Sequence, residues 1–128
     1  MDIPTSTRPT AVTFMRARHT NKTGRDADME ERMIAHQRAE CERIARQLHA
    51  TVIREYVEYG GTGSIAKRPQ LRLMLDELLA LHDVTYVITE KPDRIARQTN
   101  DLRTVHLELE ASGATLVTVS GNTTINER

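Results

Sequence analysis

Short runs rich in β-branched residues alternate with segments of helical period along most of this chain. Residues 11–17 (AVTFMRA), 51–57 (TVIREYV), 84–89 (VTYVIT) and 114–119 (ATLVTV) read as strands. Between the first two, residues 28–49 put Ile34, Gln37, Cys41, Ile44, Ala45 and Leu48 on one helical face, opposite a charged one. Pro69 opens a second helix, because its fixed φ suits a first turn. The stripe Leu71, Met74, Leu75, Leu78 and Leu79 follows. A third helix, starting near Ile95 or Gln98 and ending at Ala111, turns Leu102, Val105 and Leu109 inward, and Gly113 is placed to stop it. Strands alternating with helices in this way predict repeated βαβ units. The expected fold is therefore an α/β, three-layer sandwich with a central, mainly parallel sheet of at least four strands. Residues 18–27, 60–64 and the Lys91–Pro92 stretch read as loops. Residues 1–10 and 121–128 read as polar tails, which leaves 11–120 as the domain.

Composition narrows the function classes. A chain of 128 residues fits one domain, and 38% apolar against 28% charged residues argues against disorder. Aromatics are 3% and Trp is absent, so the core must come from Leu, Val, Ile, Ala and Met. A stacking platform for single strands is excluded for the same reason. Lys plus Arg equals Asp plus Glu at 18 each, which rules out a polycation but leaves room for a local basic site. Cys41 is the single cysteine, so internal disulfides and cysteine-based zinc sites are excluded. His19, His36, His49, His82 and His106 include no i, i+4 pair on one helix, and neither a metal nor a cofactor is expected. No apolar run approaches the roughly 18 residues of a membrane span, and no signal-peptide core opens the chain. The expected location is the cytoplasm.

Ligand sites of parallel sheets lie beyond the carboxyl ends of the strands. Those ends fall near residues 16–18, 58–64, 90–97 and 120. Arg16, Arg18, Arg68, Arg94 and Arg97 lie in or just after these segments. Arg94 and Arg97 would share a face if their segment is helical. Gathered together, the arginines would make an anion pocket suited to phosphate, through charge-assisted bidentate bonds. Scattered, they would be ordinary solvated residues. The stretch GGTGSIAKR does not match a nucleotide-triphosphate loop, because Lys67 is followed by Arg68 and not preceded by Gly.

Five short stretches in order give the chain a family likeness: Phe14–Met15–Arg16–Ala17–Arg18, Gln37 in AHQRAEC, Glu58–Tyr59–Gly60–Gly61–Thr62–Gly63, Arg68–Pro69, and Asp93–Arg94–Ile95–Ala96–Arg97. With the strand–helix order, they resemble the catalytic domain of serine recombinases, the resolvase–invertase family, over about residues 11–120. The resemblance implies a resolvase-like fold, DNA binding and site-specific DNA recombination, including DNA integration. In that family a serine hydroxyl attacks a DNA phosphodiester and conserves the bond as a phosphoserine link. Guanidinium groups stabilise the charge that builds on phosphorus. Carried over, Arg16, Arg68, Arg94 and Arg97 would bind the phosphate, with Thr62 beside them. Asp93 would orient arginines or assist proton transfer. Glu58 would replace a family Asp, one methylene longer.

The nucleophile position is occupied by Arg18. A guanidinium stays protonated and cannot attack phosphorus. The expectation is a pseudoenzyme that binds DNA without cleaving it. Two alternatives stand beside it: strand exchange through another hydroxyl such as Thr20, and a protein-interaction domain with no DNA role. The resemblance also leads one to look for a long dimerising helix and a DNA-binding module. Neither pattern occurs before Arg128, so the expected partners are DNA, and either a second copy or a full-length recombinase supplying the missing parts, with no membrane.

Overall fold

The computed structural model describes residues 8–17, 24–60, 65–96 and 99–119. Strand β1 runs Thr10–Ala17, helix α1 Gly24–Gln47, β2 Thr51–Tyr59, α2 Pro69–Leu81, β3 Tyr86–Thr89, the single turn α3 Pro92–Ile95, α4 Thr99–Ser112 and β4 Thr115–Thr118. A 3-10 turn, Ile65–Lys67, leads into α2. The sheet is parallel throughout, in the order β2-β1-β3-β4. The central strand β1 thus pairs with β2 on one side and β3 on the other.

Alternation along β1 explains the layers. Ala11, Met15 and Ala17 face α1, where they meet Ile34, Cys41, Ile44 and Ala45. Val12 and Phe14 face the opposite side, packed with Leu71, Met74, Leu75 and Leu78 of α2 and with Val105 and Leu109 of α4. Neighbouring residues Val87 and Ile88 of β3, and Leu116 and Val117 of β4, divide between the same two cores. A period of two in the strands and of 3.6 in the helices therefore builds the three-layer α/β sandwich. Among the described residues no helix is long and apolar enough to cross a membrane.

Helix ends depart from the simplest expectation. Gly113 closes α4 with φ +88°, donating to the carbonyl of Glu110 while Ala114 donates to Leu109. The same closure ends α1 around His49, at φ 55°: His49 donates to Arg46 and Ala50 to Ala45. His82, at φ 48°, ends α2. No glycine marks these two stops, and α1 runs Gly24–Gln47 where the spacing predicts 28–49. The stretch after β3, read from sequence as a loop, contains α3.

The chain passes from one face of the sheet to the other through β2, and the connections leaving the neighbouring strands β1 and β3 run in opposite directions. Helix α1, between β1 and β2, lies on one face, and α2, between β2 and β3, lies on the other. The carboxyl ends of β1 and β3 therefore flank the crevice where ligands of such sheets bind.

Candidate phosphate site

Arg16 is the penultimate residue of β1 and pairs in register with Glu58 of β2. Its backbone is held by Gln37 of α1, which is 1% exposed. The Arg16 amide donates to Gln37 Oε1 at 3.0 Å, and Gln37 Nε2 donates to the Arg16 carbonyl at 2.8 Å. The Arg16 side chain donates from Nε to the Gly60 carbonyl at 2.9 Å. Both its peptide and its guanidinium are thus fixed where β1 and β2 end.

Glu58 is buried, and one of its oxygens accepts two hydrogen bonds from the first turn of α2. Oε1 lies 2.9 Å from the amide of Gln70 and 3.1 Å from that of Leu71. A helix begins with amides that lack partners. Arg68, which precedes Pro69, offers no side-chain acceptor to them. Glu58 supplies that acceptor from the neighbouring strand, and its negative charge suits the positive end of the helix.

Arg68 is 3% exposed. Its Nη2 donates to the Arg94 carbonyl at 2.8 Å and its Nη1 to the Ile95 carbonyl. Its guanidinium carbon stands 5.8 Å from the centre of the Phe14 ring. Arg68 therefore clamps the end of α3 and sets how that turn meets β1. Its Nε is buried with no hydrogen-bond partner among the described residues, as is Oδ1 of Asp93. Burial, then the nearby Arg16 charge, push the Arg68 pKa down to about 10, against the pull of Glu58 and Asp101. It stays cationic at neutral pH.

Asp93 and Arg94 lie in α3. The Arg94 side chain turns to Glu90: Nε and Nη2 lie 3.2 and 3.1 Å from Glu90 Oε1. The other oxygen of Glu90 is 3.3 Å from His36 Nε2. Between α1 and α3 opens a groove of about 300 Å³, lined by Met29, Arg32, Met33, His36, Gln37 and Arg94.

The structure thus brings Arg16, Glu58, Arg68, Asp93 and Arg94 to the carboxyl edge around β1. Arg16 and Arg68 feel each other's charge on the α2 side. The backbone of Arg94 joins them, while its guanidinium leans toward α1. α3, which holds Arg94, stops at Ile95, and Ala96 is extended at φ −157° and ψ 145°; the expected shared face of Arg94 and Arg97 falls partly outside the described residues. Arg97, Arg18, Thr20 and Thr62 lie outside the described residues. The sequence reading did not single out Glu90, which sits beside a motif arginine, or His36, for which no local signal exists. Among the described residues no group of three or more His, Cys, Asp or Glu is placed to hold a metal ion.

Comparisons with known proteins bear on the family and the fold. The chain is similar to a resolvase family site-specific recombinase from Streptococcus pneumoniae, with 18% identity and a TM-score of 0.68 over 93% of this chain and 78% of that one. It is similar to the N-terminal catalytic domain of TP901-1 integrase, with 15% identity and a TM-score of 0.70 over 92% and 83% of the two chains. The C-terminal catalytic domain of IS1535 TnpA, an IS607-like serine recombinase, gives 25% identity and a TM-score of 0.58 over 84% and 69%. No curated protein sequence matches the chain. The sequence pattern of the resolvase N-terminal domain matches residues 18–128, a span that includes Glu58, Arg68, Asp93 and Arg94. With that pattern spanning most of its length, this chain belongs to the resolvase N-terminal domain family, a family of DNA recombination.

Proposed function

We propose that the carboxyl edge of the sheet binds the phosphate backbone of DNA and that this chain does not cut it. Arg16, Arg68, Arg94 and Arg97 contact phosphate oxygens, with Thr62 beside them. Glu58 and Asp93 keep the arginines in place. Arg18, at the position of the nucleophile, replaces an attacking hydroxyl with a permanent cation. The domain works as a non-catalytic relative, in company with a second copy or a full-length recombinase, in the cytoplasm.

One observation carries the reading. Arg68 buries a guanidinium whose Nε–H has no partner among the described residues. An unsatisfied buried donor costs roughly 1–3 kcal/mol, and more on a charged group. An anion at that edge would stabilise the buried cation through space and offset the charge that Arg16 adds. Guanidinium groups held in advance of the ligand are also what stabilises charge on phosphorus.

The test is incubation of the full chain with supercoiled DNA across a salt series. The account expects binding that weakens steeply as salt rises, because phosphate contacts release counterions. It expects no covalent protein–DNA product. A phosphothreonine link through Thr20 would overturn the loss of cleavage and leave the phosphate site standing. Absence of binding even at low salt would overturn the phosphate site and favour a protein-interaction domain.

A further inference from the structure

Glu90 follows directly on β3, and its carbonyl accepts a hydrogen bond at 3.2 Å from the amide of Val119, the residue after β4. Its side chain is 10% exposed. Burying a carboxylate is costly unless both oxygens are engaged. Here each oxygen has its own partner: Oε1 takes the Nε and Nη2 of Arg94, and Oε2 takes Nε2 of His36. The carboxylate therefore has little freedom to turn.

Arg94 is gripped along one edge only. A guanidinium has five N–H donors in a rigid plane. Glu90 fixes that plane through Nε and Nη2, and Nη1 has no partner among the described residues. Arg94 lines the groove between α1 and α3 together with His36 and Gln37.

We propose that Glu90, braced by His36, is the positioning residue for Arg94, aiming its unpaired edge at a DNA phosphate. The inference rests on the phosphate reading above. Its sign is the reverse of what net charge alone gives. Removing a negative charge beside a phosphate site should tighten DNA binding, whereas removing a brace should weaken it.

The test compares Glu90→Gln, Arg94→Ala and the double variant, each in the full chain with a short DNA duplex of arbitrary sequence. Arg94→Ala should lower the salt slope of binding by about 1, the signature of one phosphate contact. Glu90→Gln should weaken binding in the presence of Arg94 and have no weakening effect in the Arg94→Ala background. A second readout needs no DNA: water exchange at the Arg94 Nε–H, followed by nuclear magnetic resonance, should speed up in Glu90→Gln. Unchanged exchange would overturn the brace whatever DNA does. Tighter binding by Glu90→Gln would make Glu90 a competitor for Arg94, and equal weakening in both backgrounds would make it a general structural residue; either result overturns the inference. If exchange speeds up but Arg94→Ala leaves DNA binding untouched, the phosphate reading fails at Arg94 and the DNA role of Glu90 falls with it.

Discussion

Gln37 and Arg16 exchange two hydrogen bonds, one in each direction, so that a side-chain amide of α1 pairs with the peptide of β1 as a neighbouring strand would. The contact joins a helix face chosen by hydrophobic packing to the first arginine of the proposed phosphate site. Gln37→Leu keeps most of the volume but leaves a buried N–H and C=O without partners. It is expected to lower stability by about 2–3 kcal/mol, measured by denaturant unfolding. An unchanged midpoint would contradict the role given to this pair.

Glu58 is expected to matter first as a cap and only then as part of the site. Glu58→Ala removes the acceptor for both Gln70 and Leu71 amides and should cost roughly 1–3 kcal/mol. Glu58→Gln keeps an acceptor oxygen and loses the charge, so it should cost less. Thermal unfolding of the two variants checks the order. Equal losses would show that charge, and not the hydrogen bonds, carries the effect.

Much of this architecture was legible in the sequence. The four strands, the stripes of α1 and α2 and the stop at Gly113 all follow from periodicity and turn chemistry, which act over a few residues. The stops at His49 and His82 were not legible, because neither residue advertises a positive φ. The positions of Arg16, Arg68 and Arg94 at or beyond the strand ends were legible. What each arginine touches was not: Arg68 binds carbonyls that lie 26 and 27 residues away, and the His36–Glu90 contact joins two elements that only the folded sheet brings together. Tertiary partners of this kind leave no trace in local spacing.

Cys41 gives a test of the α1 core through pH. Its sulfur lies 3.7 Å from the Ile88 carbonyl. Burial, helped by Glu90, Glu55, Glu40 and Glu42, pushes its pKa up to about 12 from the ordinary 9.0. Between those values the unfolded chain has lost the thiol proton and the fold has kept it. Stability should therefore fall as pH rises through this window, by about 1 kcal/mol per unit from this one group. The difference in pH slope between the parent and Cys41→Ala isolates it from Tyr56, whose phenol is also raised by burial. Parallel slopes would contradict a sealed thiol.

The central claim is that the arginines at the carboxyl edge of the sheet meet DNA phosphate together. Its most direct test follows the Nε–H resonances of Arg16, Arg68 and Arg94 while a short DNA duplex is added. The account predicts that all three shift along one binding curve and that added salt reverses the shifts. Resonances that stay in place while signals elsewhere on the domain move would contradict it.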